Sequence, residues 1–155
     1  MKHRWAYLIA FILLCELTGI GGSVFTSQSV QEWYPTLEKP AFTPPSWVFA
    51  PVWTTLYALM GISAYLVFIS GRGGMMPALT GFFVQLFLNF LWSFAFFGMR
   101  SPVAGAVVIV ALWIAIVWTI INFYRVSRNA AYLLVPYILW TSFAAILNFS
   151  IILLN

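Results

Sequence analysis

Five long apolar runs, separated by short polar or Pro/Gly-rich stretches, organise this chain; they cover about residues 5–25, 47–69, 78–98, 103–124 and 130–154. Each approaches the roughly 20 residues that carry a helix across the hydrocarbon layer of a bilayer. The runs are continuously apolar rather than alternating, which argues against a membrane β-barrel and leaves helices as the way to satisfy the backbone in lipid. The predicted fold is therefore all-α, an integral membrane bundle of five transmembrane helices forming one domain over residues 1–155. The breaks agree with it. Ser70-Gly71-Arg72-Gly73-Gly74 is a flexible stop after the second run, and Arg100-Ser101-Pro102 is a tight turn with Pro102 placed to open the fourth. The longest connection, about residues 26–46, is rich in tryptophan and proline.

Composition strengthens the membrane reading. Of 155 residues, 63% are hydrophobic and 6% charged, and the mean hydropathy is +0.98; a water-soluble domain would need far more polar surface. Lys2, His3 and Arg4 ahead of the first run resemble the start of a signal peptide. That run is long for a cleaved segment, however, and carries Glu16 in its middle. It also has Cys15, Gly19 and Ser23 at the four-residue spacing of closely packed helices, so a retained span is expected. Lys2, Arg4, Arg72, Arg125 and Arg128 fall on one side of the bundle and Lys39 and Arg100 on the other, which predicts a cytoplasmic N-terminus. The net charge of +4 thus reads as a topology signal, and nucleic acid is not an expected partner.

Polar groups inside spans are costly and therefore informative. On the third span Gln85, Asn89, Trp92 and Phe96 recur at spacings of four, three and four, which puts them on one helical face. On the fifth, Pro136, Trp140 and Ala144 share a stripe; on the second, Trp53 and Tyr57 lie one turn apart. Three helices could thus direct indole, phenol and carboxamide groups into an apolar pocket for a flat hydrophobic ligand. Packing is the alternative: aromatic side chains anchor helices at interfaces, and Gln85, Asn89 and Asn148 can bond helix to helix. Trp113 and Trp118, five apart, are expected on lipid or packing faces. Glu16 reads either as a proton or counter-charge site or as a hydrogen-bonded carboxyl packed on a neighbour. With one histidine, one cysteine and no aspartate, neither a protein metal site nor a Ser-His-Asp triad is expected, and no phosphate loop is present.

The long connection and its flanks carry the pattern Trp33-Tyr34-x-x-Leu37-x-Lys39-Pro40-x-Phe42-x-Pro44-Pro45-x-Trp47-Val48-Phe49-x-Pro51-Val52-Trp53-Thr54-x-Leu56-Tyr57. Gln85-Leu86-x-Leu88-Asn89-x-x-Trp92, Phe96-Phe97-Gly98, Pro136-Tyr137-x-x-Trp140 and Leu147-Asn148 follow in order. Together they closely resemble the tryptophan-rich sensory protein (TspO/MBR) family, which includes the translocator protein or peripheral benzodiazepine receptor.

The resemblance implies a five-helix membrane protein, often a homodimer, that binds hydrophobic ligands among its helices under a cap formed by the first loop. It implies porphyrins such as protoporphyrin IX and haem as ligands, with no required cofactor, and isoquinoline carboxamides and benzodiazepines as further family ligands. On matching positions the ligand-binding residues would be Tyr34, Pro44, Trp53, Tyr57, Asn89, Trp92, Trp140 and Ala144. The expected function is that of a membrane receptor or sensor. The alternatives are a porphyrin transporter with Glu16 in a coupling role, and a light-dependent protoporphyrin-degrading enzyme, for which Trp53 and Trp140 are the catalytic candidates. Lys39 could attract a propionate or simply be solvated. The cholesterol pattern of animal members is not matched near the end of the fifth span, and the expected location is a prokaryotic plasma membrane.

Overall fold

A computed structural model describes residues 4–155, and those residues form helices and connecting turns without a strand. The elements are α1 (Arg4–Glu32), α2 (Phe49–Ile69), α3 (Met75–Ser93), α4 (Pro102–Val126), α5 (Arg128–Leu133) and α6 (Val135–Leu154). Five stretches are long and apolar enough to cross a membrane: α1, α2 with its preceding turn, α3 with the turn that follows it, α4, and α5 with α6. Lys2 and His3 lie outside the described residues.

The spans begin and end where capping chemistry and proline dictate. Pro102 is the first residue of α4, and the Ser101 side chain accepts from the Ala104 N–H, satisfying one of the free donors at the helix start. Ser127 caps α5 in the same way through Ala130. Pro136 cannot donate to the turn before it, so the fifth span is interrupted at Leu134 and resumes as α6. Gly74, at φ +90°, opens α3 in a conformation that glycine alone adopts without strain.

One boundary differs materially from the sequence reading. The first helix continues to Glu32 instead of ending near residue 25, which shortens the connection to residues 33–45. Polar residues beyond the apolar run stay helical because they find partners: the Gln28 amide donates to Glu32 one turn on, and the Ser29 hydroxyl donates to the Phe97 carbonyl at 2.6 Å. Glu32 pairs with Arg100 at 2.9 Å. Pro35 and Pro40 then prevent further helix.

Around the bundle the neighbours run α1, α2, the fifth span, α4, α3 and back to α1. Close approach of α1 to α2 depends on Gly61, where an added Cβ would lie 2.5 Å from the Ile12 Cα. The main core joins Cys15, Met60, Phe82, Leu112, Ile116, Phe123 and Tyr137; a smaller cluster of Tyr34, Phe96, Leu147 and Ile151 sits at the other end. Large apolar side chains such as Leu17, Phe87, Val107, Ile114 and Leu139 face outward, as a lipid solvent permits. Trp113 and Trp118 are among the outward-facing side chains; Trp113 donates to the Ser142 hydroxyl at 2.8 Å and Trp118 covers Gly81. Arg4, Arg72, Arg125 and Arg128 lie at one end of the bundle and Lys39 and Arg100 at the other. Arg72 reaches across to donate to the Val126 carbonyl.

Candidate functional site: an aromatic cavity between the helices

Between α1, α2, α3 and α6 lies a cavity of about 480 Å³. Its back wall is carried by Trp53 and Tyr57 from α2, Asn89, Trp92 and Phe96 from α3, and Ala144, Leu147 and Asn148 from α6. The whole front is one face of α1: Glu16, Gly19, Ile20, Ser23, Thr26, Ser27, Val30 and Gln31 recur at three- and four-residue steps. Tyr34, Ser46 and Phe49 border the end nearest the connection.

The rings are held in fixed relation. Trp53 lies 5.6 Å from Tyr57 and 6.4 Å from Trp92, and Trp92 stacks on Phe96 at 5.6 Å. After Ser93 the helix widens into a π turn, with the Met99 N–H donating to the Phe94 carbonyl at 2.8 Å. The adjacent Phe96 and Phe97 of this turn both border the cavity.

Polar groups behind this lining form two buried relays. The Tyr57 hydroxyl donates to Asn89 Oδ1 at 2.5 Å, Asn89 Nδ2 donates to the Tyr137 oxygen at 2.9 Å, and Tyr137 donates to Gln85 Oε1 at 2.7 Å. This chain ties α2, α3 and α6 together, each bond between spans contributing on the order of 0.6–2 kcal/mol. The second relay runs from Trp92 Nε1 to Asn148 Oδ1 at 3.4 Å, and from Asn148 Nδ2 to the Pro102 carbonyl at 2.7 Å. Asn89 and Asn148 therefore both border the cavity and brace its wall, whereas Gln85 braces it from behind.

Six of the eight ligand-binding residues expected from sequence come together on this wall: Tyr34, Trp53, Tyr57, Asn89, Trp92 and Ala144. Pro44 and Trp140 do not. Pro44 lies in the connection away from the lining, and Trp140 sits edge-on behind Phe49 at 5.9 Å with its indole N–H buried and unpartnered. Lys39 is engaged within the connection: its ammonium donates to the carbonyls of Tyr34 (2.9 Å) and Leu37 (2.8 Å) and lies 5.0 Å over the Tyr34 ring. Burial pushes the Tyr34 phenol above its usual pKa, so the ring meets the cavity neutral and able to donate. Glu16 is half-buried at the cavity wall and receives no hydrogen bond from any described side chain, contrary to the packed, hydrogen-bonded alternative. Apart from Glu16, the α1 face was missed from sequence, and Tyr137 was read there only as a motif residue. The α1 face was nonetheless written there, in the periodic Glu16, Ser23, Thr26, Ser27 and Gln31.

The arrangement is a mostly apolar, aromatic-walled slot with a few convergent polar groups, inside a five-span bundle. Comparison with known proteins agrees with that geometry, since the sequence profile of the TspO/MBR family matches residues 11–154. The chain belongs to the TspO/MBR family. It is 51% identical over 148 residues to the tryptophan-rich protein TspO of Archaeoglobus fulgidus, covering 96% of each chain. It is 35% identical over 156 residues to the tryptophan-rich sensory protein of Cereibacter sphaeroides, covering 100% of this chain and 95% of that one. To the human translocator protein it is 37% identical over 154 residues, 97% of this chain and 91% of the relative. TspO/MBR membership thus extends over nearly the full length, cavity included.

Proposed function

We propose that this TspO/MBR protein is a membrane receptor or sensor that binds porphyrins, such as protoporphyrin IX or haem, in the cavity between α1, α2, α3 and α6. Relatives named for sensing and for translocation support a role of that general kind at the membrane. The observation that carries the porphyrin reading is the wall itself: Trp53, Tyr57, Trp92 and Phe96 line a slot of about 480 Å³. That volume is within the range of roughly 300–1,000 Å³ usual for small-molecule sites. A large flat ligand gains most from such a surface, because stacked aromatic contacts add to apolar burial. The connection over residues 33–45 acts as the cap, stiffened by Pro35, Pro40, Pro44 and Pro45 so that little chain entropy is lost when it closes. In this reading the protein works as a homodimer in a prokaryotic plasma membrane, with its N-terminus in the cytoplasm.

Titration of the purified protein with protoporphyrin IX, read by quenching of tryptophan fluorescence, tests the binding. Saturable quenching is expected in the native protein, with at least about tenfold weaker binding in Ala144→Trp, whose indole would fill the slot. Linear quenching, identical in the two proteins, would exclude a bound state in the cavity. Photochemical degradation has weaker support: of its two candidate indoles, Trp53 borders the cavity while Trp140 lies behind Phe49.

A further inference from the structure

Glu16 is the one carboxylate far from either end of the bundle. It lies 12 residues beyond Arg4, about 18 Å along a helix some 43 Å long. Gln31, at the opposite end of the cavity, is about 22 Å further on, so Glu16 marks the deep end of the slot and Tyr34 its mouth.

A polar group at this depth needs a partner, and the protein supplies none from its described residues. The described cations sit at the bundle ends, and the ion pair found among the described residues is Arg100 with Glu32. Four of the hydroxyls that share the wall are engaged elsewhere. Tyr57 donates to Asn89, Ser23 to the Ile20 carbonyl, Thr26 to the Gly22 carbonyl and Thr54 to the Ala50 carbonyl. Each has one O–H to give. The carboxyl of Glu16 is left as an acceptor facing apolar space that is large enough for a guest.

We propose that Glu16 is a specificity-determining binding residue, selecting hydrophobic ligands that carry a nitrogen-borne hydrogen, above all a protonated amine, at the end that enters first. The inference rests on the cavity being the ligand site, and it extends the ligand class from flat porphyrins to flat aromatic amines. A charge-assisted N–H···O bond sheltered from water is stronger than a neutral one, so the deep carboxyl rewards an amine cation more than an isosteric ring without it. The mouth, lined by Tyr34, Phe49 and Phe96, leaves the rest of the ligand in aromatic surroundings.

The test compares 9-aminoacridine, a flat cationic amine at neutral pH, with acridine, which has the same rings and no amino group, in zwitterionic nanodiscs. Wild type is expected to bind the amine at least about tenfold more tightly, the scale of one charge-assisted hydrogen bond. Glu16→Gln, nearly the same in shape, is expected to abolish that preference while acridine affinity and melting temperature stay unchanged. Ala144→Trp is expected to weaken both probes, which locates them in the slot. A preference that survives Glu16→Gln, or two probes unaffected by Ala144→Trp, overturns the proposal. Protoporphyrin is titrated alongside: amine binding without protoporphyrin binding removes the porphyrin reading and leaves Glu16 in its role, whereas the reverse removes the role of Glu16 alone.

Discussion

Tyr137 is almost fully buried and serves its neighbours twice, accepting from Asn89 and donating to Gln85. Tyr137→Phe leaves both buried amides short of a partner, which costs on the order of 1–3 kcal/mol per orphaned group. A clear drop in melting temperature in detergent is expected, and an unchanged melting curve would contradict the relay. Trp140 makes the opposite case, because its buried N–H already lacks a partner. Trp140→Phe is thus expected to change protoporphyrin affinity by no more than about twofold, whereas Trp53→Phe, which alters an aromatic face on the wall, costs several-fold, in line with about 0.5–1.5 kcal/mol for an aromatic contact. Equal losses would show that Trp140 reaches the ligand. The sequence pointed to the polar and aromatic face of α3 because Gln85, Asn89, Trp92 and Phe96 keep helical spacing. That spacing alone did not separate Gln85, turned to Met60 and Tyr137, from Asn89, which borders the cavity; that distinction depends on what each helix faces. Phe97, a residue of the Phe96-Phe97-Gly98 motif, borders the wall as well, although helical spacing did not select it.

Helices set the cavity by where they touch and where they part. At Gly61 α1 and α2 are pressed together, and toward Gln31 they stand apart around the slot. Gly61→Leu would force side-chain carbons into the Ile12 backbone, at a cost of about 1–3 kcal/mol or more, and is expected to lower the melting temperature well beyond the change seen with Gly73→Leu, where an added Cβ meets nothing within 4 Å. Five spans, with Pro102 at the start of the fourth, were legible in the sequence because an unbroken apolar stretch of membrane length fits little besides a transmembrane helix. The far end of α1 was not. Its last turn is held by Ser29 on Phe97 and Glu32 on Arg100, partners 68 residues away in the chain. The connection it leads into is fastened by Asn155, whose side chain accepts from the Glu38 N–H at 3.0 Å and donates to the Glu38 carbonyl at 2.9 Å. Loss of both bonds in Asn155→Ala is expected to speed protoporphyrin association and release by several-fold in stopped-flow quenching, with little change in melting temperature, because the pair is exposed and weak. Unaltered rates would mean that this connection does not gate the cavity.

The whole molecule places four described arginines at one end and Lys39 with Arg100 at the other, a bias that orients spans with the richer end in the cytoplasm. A reporter fused after Asn155 is accordingly expected to be active only on the outer side. Activity inside the cell would reverse the assignment of mouth and deep end to the two faces of the membrane. Family membership, fold and cavity lining meet at the slot, where Tyr34, Trp53, Tyr57, Asn89 and Trp92 from the motifs form part of the border. The central claim is that the slot between α1, α2, α3 and α6 is where a flat ligand sits. An experimental structure with protoporphyrin bound tests this most directly: the account predicts the macrocycle against Trp53 and Trp92 with Ala144 at its edge, and a macrocycle lying instead in the lipid-facing groove of Leu14, Leu17, Phe83 and Phe87, with the slot empty, would contradict it.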